Sequence, residues 1–134
     1  MLLYLSSEWV VTFLRIVLGI SLLAHGWPKA VNLRETARQF AHMGFRPGWL
    51  WGPVVAAVEL IGGILLILGY GTGLVSLVLA IEFAVIVIWK LFRMVAYSAG
   101  GKMDLELDLL ILGVLLLLLA SGPGNLSLSG AAWQ

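Results

Sequence analysis

The chain has 134 residues, of which 61% are hydrophobic and 11% are charged, and its mean hydropathy of +1.05 is far above that of a soluble domain. This composition predicts an integral membrane protein, and a net charge of +1 offers no basic face for nucleic acid. The absence of cysteine excludes disulfides, thiolate metal sites and thiol relays, so any redox chemistry needs a bound cofactor or a partner protein.

Hydropathy and turn residues predict four membrane spans in a single domain covering residues 1–134. The spans lie at about residues 9–27, 49–69, 73–92 and 105–121, each near the roughly 20 residues with which a helix crosses a bilayer. We expect Trp27 and Pro28 to end or kink the first helix, and Asp104 to cap the fourth. The predicted fold is all-α, a bundle of four transmembrane helices.

A short amphipathic segment separates the first two spans. Residues 31–43 are too short and too charged to cross a bilayer. Val31, Leu33 and Phe40 can share one face of a helix, while Arg34 and Arg38 lie elsewhere on it. This pattern predicts an interfacial helix between spans one and two.

The basic residues set the predicted orientation. Of the eight Lys and Arg residues, all seven outside the first span fall in the first connection or around the third. The positive-inside rule then places those connections in the cytoplasm and both termini outside. A small multidrug transporter is disfavoured, because such proteins have a weak charge bias and a glutamate in the first helix, where this chain has an arginine.

Three ionisable residues lie deep within the predicted spans, where such groups are functional candidates by default. Arg15 is about 9 Å inside the first span, and Glu59 and Glu82 lie near the middles of the second and third. We expect Arg15 to pair with Glu59, because sequential helices are usually neighbours. Glu82 would then share Arg15 or be protonated. The alternative is an ion pair that only fixes helix register.

One face of the first helix is small and polar. Arg15, Gly19, Gly26 and Lys29 fall within about 80° of one another on a helical wheel. Glycine has no side chain to keep a neighbouring backbone away, so another helix can approach this face closely.

A second set of ionisable residues gathers at the predicted inner boundary. His25, Lys29 and Glu106 can converge on the mouth of one pocket, whereas Lys90 fits a snorkelling lysine at the end of a span. Glu106 and Asp108 stand about 200° apart, so at most one of them faces the interior. His25 and His42 are too separately placed to be haem or metal ligands, and no metal site is expected.

Several motifs in a fixed order carry a family resemblance. They are R-x-x-x-G and H-G-x-x-K in and directly after the first span (Arg15, Gly19, His25, Gly26, Lys29), G-F-x-P at 44–47, V-E-L-I-G-G-I-L-L-I-L-G at 58–69, E-L-D-L-L-I-L at 106–112 and G-P-G-x-x-S-L at 122–128. Together they resemble the DoxX family of small four-helix membrane proteins over nearly the whole chain. By this match, the resemblance assigns five residues of this chain to positions of the family pattern: Arg15, His25, Lys29, Glu59 and Glu106.

The resemblance implies a quinone-linked or sulfur-linked oxidoreductase role in a prokaryotic inner membrane. We expect a polar pocket among the helices that holds a quinone, with no cofactor bound covalently and with electrons supplied by a sulfur compound or a redox partner protein. The catalytic candidates, which would stabilise charge on reduced oxygen or relay protons, are Arg15, Glu59 and His25. The candidates for substrate contact are Lys29, Glu82 and Glu106.

Two alternatives remain open, and so does the question of whether this chain alone is an enzyme. The first is a non-catalytic protein that binds a lipid or another apolar small molecule, or that assists the assembly of another membrane protein. The second is a proton-coupled transporter using Glu59 and Glu82, for which four helices without an internal repeat would have to form a homo-oligomer.

Overall fold

A computed structural model describes residues 2–92 and 99–124 of the chain. All regular structure in these residues is α-helical, as predicted, and it forms five helices: α1 Leu2–Val31, α2 Leu33–His42, α3 Gly48–Leu68, α4 Thr72–Phe92 and α5 Ala99–Ser121. Within the described segments, three stretches are long and apolar enough to cross a membrane, at Ser7–Val31, Gly48–Leu68 and Thr72–Phe92. They match the first three predicted spans.

Two predicted helix boundaries are wrong. The first helix does not end at Trp27 and Pro28 but continues to Val31 with Pro28 inside it, and a kink at Pro28 stays a prediction. Lys29 lies in this last turn and is held against α3 by an ion pair with Glu59, so tertiary contacts outweigh the cost of about 3 kcal/mol of a proline within a helix.

The last helix begins at Ala99, five residues before Asp104, the residue predicted to cap it. A favourable capping residue contributes about 1 kcal/mol, which is too little to stop a helix where the preceding residues can also adopt helical geometry. Lys102 and Met103, which directly precede Asp104, are both good helix formers.

The core lies between α1, α3, α4 and α5. Its fully buried side chains are leucines and one phenylalanine: Leu22, Leu66, Leu79, Phe83, Leu115 and Leu118. α1 packs most closely against α3, and α4 packs most closely against α5. α3 and α4 contact each other less extensively.

Glycines allow the close packing of α1 on α3. A Cβ atom added to Gly19 would lie 2.7 Å from the carbonyl oxygen of Gly63, and one added to Gly63 would lie 2.8 Å from the carbonyl oxygen of Gly19. Real Cβ atoms do not approach backbone oxygens so closely, so the two helices can cross here only as glycines. The predicted close approach along the glycine face of the first helix is confirmed.

The helix α2 folds back against the beginning of α3. Its N-cap residue Asn32 accepts a hydrogen bond from the backbone N–H of Glu35 at 3.5 Å. Thr36 and Phe40 are buried, and Gly48 of α3 lies so near Ala37 that no side chain would fit there. A helix with the predicted amphipathic pattern is therefore present, and its placement at the membrane interface stays a prediction.

Candidate functional site

A cavity of about 780 Å³ lies at the end of the bundle that α2 covers, and all five helices contribute to its wall. Most of the wall is apolar. Six ionisable residues also line it: His25, Lys29, Glu59, Glu82, Lys90 and Asp108. The structure therefore brings together four of the six residues predicted as site residues, and it adds Lys90 and Asp108.

The Lys29 ammonium and the Glu59 carboxylate form the central ion pair of the cavity. Lys29 Nζ donates to both carboxylate oxygens of Glu59, at 2.7 and 2.9 Å. Glu59 is completely buried, whereas 29% of the Lys29 side chain is exposed. Gly26 makes this contact possible, because a Cβ at that position would lie only 3.1 Å from Cβ of Glu59.

Glu82 lies beside this ion pair without a cation of its own. Both of its carboxylate oxygens are buried and accept no hydrogen bond from an N–H or hydroxyl group of the described residues. The carboxyl group next to it is that of Glu59, with which it can share a hydrogen bond when one of the two is protonated. Glu82 interacts electrostatically with the charged groups of Glu59 and Lys29. Two carboxylates next to a single lysine leave one negative charge uncompensated, unless a proton or a hydrogen-bond donor of a ligand occupies the site.

A second ion pair, between Lys90 of α4 and Asp108 of α5, lines another part of the cavity wall. Asp108 is buried, whereas Glu106 is exposed and does not line the cavity. The prediction that at most one of the two acids faces the interior is confirmed, but the expectation that Glu106 is the one at the pocket is wrong.

The rotation of α5 about its axis explains why Asp108 rather than Glu106 faces the cavity. Leu105, Ile111, Leu115 and Leu118 are all buried, and their spacing of three to six residues marks one helix face. Asp108 lies on that face, three residues from both Leu105 and Ile111, and Glu106 lies on the opposite side. Apolar residues occupy nearly every position of α5 after Asp108, so the sequence contained no apolar spacing that would have identified Asp108.

His25 lines the cavity from α1, one turn before Lys29. Its Nδ1 lies 2.8 Å from the carbonyl oxygen of Ser21. A carbonyl oxygen only accepts hydrogen bonds, so Nδ1 carries the hydrogen, and the Nε2 of a neutral ring is left as an acceptor. His25 can therefore receive a proton at Nε2 while its ring stays fixed to α1.

Arg15 does not line the cavity, and the expectation that it pairs with Glu59 is wrong. Its side chain is only 1% exposed, and its guanidinium donates to the carbonyl oxygen of Pro123, directly after α5. Pro123 lies two residues beyond the end of α5, so the guanidinium lies near the carbonyl end of this helix, where partial negative charge stabilises a cation.

The loop after α5 is fitted closely to α1 beside Arg15. Gly122 and Gly124 both have a φ of 84°, which favours glycine. A Cβ on Gly124 would lie 2.9 Å from the carbonyl oxygen of Glu8. The glycines of the G-P-G motif thus allow the chain to turn back onto α1 and present the Pro123 carbonyl to Arg15.

Comparisons with known proteins place the chain in a family. Residues 10–91 match the family model described as DoxX. The chain is 34% identical over 76 residues to a Bacillus subtilis (strain 168) protein named "Putative oxidoreductase CatD", and the alignment covers 57% of this chain and 55% of that relative. No solved structure matches the chain. The resemblance that the motifs indicated is confirmed, and the chain belongs to the DoxX family of membrane proteins.

Proposed function

We propose that this chain is a membrane subunit or enzyme of quinone-linked redox chemistry, and that the cavity holds the quinone head group. The observation that carries the proposal is the buried carboxyl of Glu82, which has no cation of its own among the described residues, beside the Lys29–Glu59 pair in a cavity whose remaining wall is mostly apolar. A flat ring with two carbonyl oxygens fits such a site, because it can accept hydrogen bonds at its polar atoms and pack against the apolar wall.

The described side chains supply the groups that this chemistry needs. A bound quinone takes up two electrons and two protons when it is reduced. Lys29 provides a positive charge near the place where negative charge develops. Glu82, when protonated, can donate to a carbonyl oxygen, and its neighbour Glu59 or the free Nε2 of His25 can exchange protons with it. The electrons come from a sulfur compound or from a redox partner protein.

The name of the Bacillus subtilis relative supports an oxidoreductase role. Because the alignment covers about half of that relative, the activity of this chain is inferred mainly from its own cavity. The two lysines of the cavity are each paired with an acid, whereas neither Glu82 nor His25 forms an ion pair with a described residue. Glu82 and His25 can therefore exchange protons with a ligand while Lys29 stays paired with Glu59.

We further propose that α5 is a fourth span and that α2 lies at the cytoplasmic interface of a prokaryotic inner membrane, with both termini outside. α5 is 23 residues long, and its exposed leucines, among them Leu109, Leu110 and Leu116, can face lipid. The seven basic residues on one side of this topology support the orientation.

A second candidate is a non-catalytic protein that binds a lipid or another apolar small molecule. The wall of the cavity includes exposed residues of α3 and α4, such as Trp51, Val54, Ile81 and Val85. The cavity therefore opens at a face of the bundle that contacts the bilayer, so a lipid can enter as easily as a quinone.

Binding of decylubiquinone to the detergent-purified protein tests the proposal, with quenching of tryptophan fluorescence as the readout because Trp51 lines the cavity. We expect saturable binding that weakens about tenfold in Glu82→Leu, which removes the carboxyl beside the ion pair, a loss of about 1.4 kcal/mol. Glu106→Leu is the matched control and should bind like the wild type, since Glu106 lies outside the cavity. The proposal fails if both variants bind equally well, and a lipid that co-purifies and blocks the quinone would favour the second candidate.

A further inference from the structure

An apolar groove of about 250 Å³ runs along the outside of the bundle between α3 and α4. The described residues of its wall are all apolar apart from one glycine, Gly62. Two of its residues, Val58 and Val78, also line the large cavity. The groove and the cavity are therefore adjacent, and the charged groups among the described residues line the cavity and not the groove.

The packing of the two helices explains the groove. On the buried side α3 and α4 are in close contact, since a Cβ on Gly62 would lie 3.0 Å from Leu79. On its outward side the groove is open, since its residues Ile61 and Leu74 are 58% and 70% exposed. A molecule dissolved in the bilayer can therefore enter the groove from the side.

We infer that the groove holds the apolar tail of the same molecule whose polar head group occupies the cavity. This inference rests on the proposed function and adds a substrate class to it: a single-tailed amphiphile, such as a quinone with an isoprenoid or alkyl chain. Glu82 lies one helical turn beyond the shared residue Val78, so a head group at Glu82 would direct its tail past Val58 and Val78 into the groove.

The dimensions and chemistry of the groove match such a tail. Along α3 it extends from Ala57 to Leu65, which is eight residues or about 12 Å at 1.5 Å per residue. Its lining offers no side-chain donor or acceptor to a polar chain. A saturated or isoprenoid chain loses no hydrogen bonds there and gains packing contacts with the valines and leucines of both helices.

A matched pair of substitutions on α3 tests the inference. Ile61→Trp fills the groove, whereas Ile64→Trp makes the same change one turn away, at a residue of similar exposure (49%) that lines neither the groove nor the cavity. Two probes are titrated against each variant: decylubiquinone, whose alkyl chain is about as long as the groove, and the same dimethoxy-methyl-benzoquinone head group without a tail. Because both variants are compared in the same detergent, partition of the probe into micelles cancels.

We expect decylubiquinone to bind about tenfold more weakly to Ile61→Trp than to Ile64→Trp, and the tail-less probe to bind both variants equally. Val75→Phe, on the opposite wall of the groove, should produce the same selective loss and guards against a folding defect specific to Ile61→Trp. The inference is overturned if decylubiquinone binds Ile61→Trp and Ile64→Trp equally, or if Ile61→Trp weakens both probes to the same extent. Failure of the proposed function is recognised separately, since Glu82→Leu would then leave binding unchanged.

Discussion

Removal of Lys29 and removal of Glu59 should destabilise the bundle to different extents, because the two side chains of this ion pair are buried to different degrees. Glu59 is completely buried, but 29% of the Lys29 side chain is exposed. Lys29→Met leaves a buried carboxylate without its cation. Glu59→Gln leaves an ammonium group whose flexible chain can extend towards the bilayer surface. We therefore expect Lys29→Met to destabilise the bundle more than Glu59→Gln does.

The magnitudes follow from the geometry. Removing one partner of a buried ion pair costs about 3–5 kcal/mol, and we expect about 3 kcal/mol for Lys29→Met because Lys29 is only partly buried. Glu59→Gln keeps the size and the hydrogen-bonding capacity of the side chain, so we expect a loss of about 1 kcal/mol. The double variant contains neither charge and should recover part of the loss, with a coupling energy of about 2 kcal/mol.

Unfolding in mixed micelles of increasing SDS content, followed by circular dichroism, measures these differences. Arg38→Met is the control, because Arg38 and Glu35 form an exposed ion pair on α2 in which 78% of the Arg38 side chain is exposed. Such a pair contributes no more than about 0.5 kcal/mol. If Lys29→Met were no more destabilising than Arg38→Met, the assignment of Lys29 as the structural counter-charge of Glu59 would be wrong.

Three further predictions concern packing, the loop after α5 and topology. Gly63→Ala should destabilise the bundle by about 1–3 kcal/mol, since its Cβ would lie 2.8 Å from a backbone oxygen of α1. Gly113→Ala is the control and should stabilise the bundle by up to about 1 kcal/mol in the same SDS titration, because its Cβ would have no atom within 4 Å. Equal effects of the two substitutions would contradict the close crossing of α1 and α3. Arg15→Met should lower the free energy of unfolding by about 2 kcal/mol and speed proteolysis of the loop after α5, because it removes the hydrogen bond to Pro123. An unchanged cleavage rate would show that this loop does not depend on Arg15. Because the chain contains no cysteine, single cysteines report the topology. Tyr70→Cys should react with an impermeant maleimide from outside the cell, whereas Arg38→Cys should react only after permeabilisation. The reverse pattern would overturn the proposed orientation.

The sequence was sufficient to predict several residues of the cavity, because their helix face or their depth within a span is a local property of the chain. Lys29 and Gly26 share a face of α1, so a helix that packs on Gly26 necessarily meets Lys29. Glu59 and Glu82 were identified by their depth within apolar spans, where a carboxyl is too costly to face lipid. The structure places these three ionisable residues and His25 in one cavity.

The pairing of charges was not predictable in the same way. A helical wheel gives the face of a side chain but neither the crossing angle nor the vertical offset between two helices. Arg15 and Lys29 lie on the same face, almost four turns apart, and either was a plausible partner for Glu59. The crossing of Gly19 on Gly63 sets the offset, and it brings Lys29 rather than Arg15 to the carboxylate.

By itself the sequence determined the membrane class, the helices and the family, because hydropathy, helical period and motif order are local properties of the chain. Only the tertiary structure decided which charges meet, that Asp108 rather than Glu106 lines the cavity, and that Arg15 holds the loop after α5. Those outcomes depend on how whole helices rotate and slide against one another to bury their glycine and leucine faces. Apolar packing therefore positions the helices, and the polar groups pair with whichever partners that packing brings within reach.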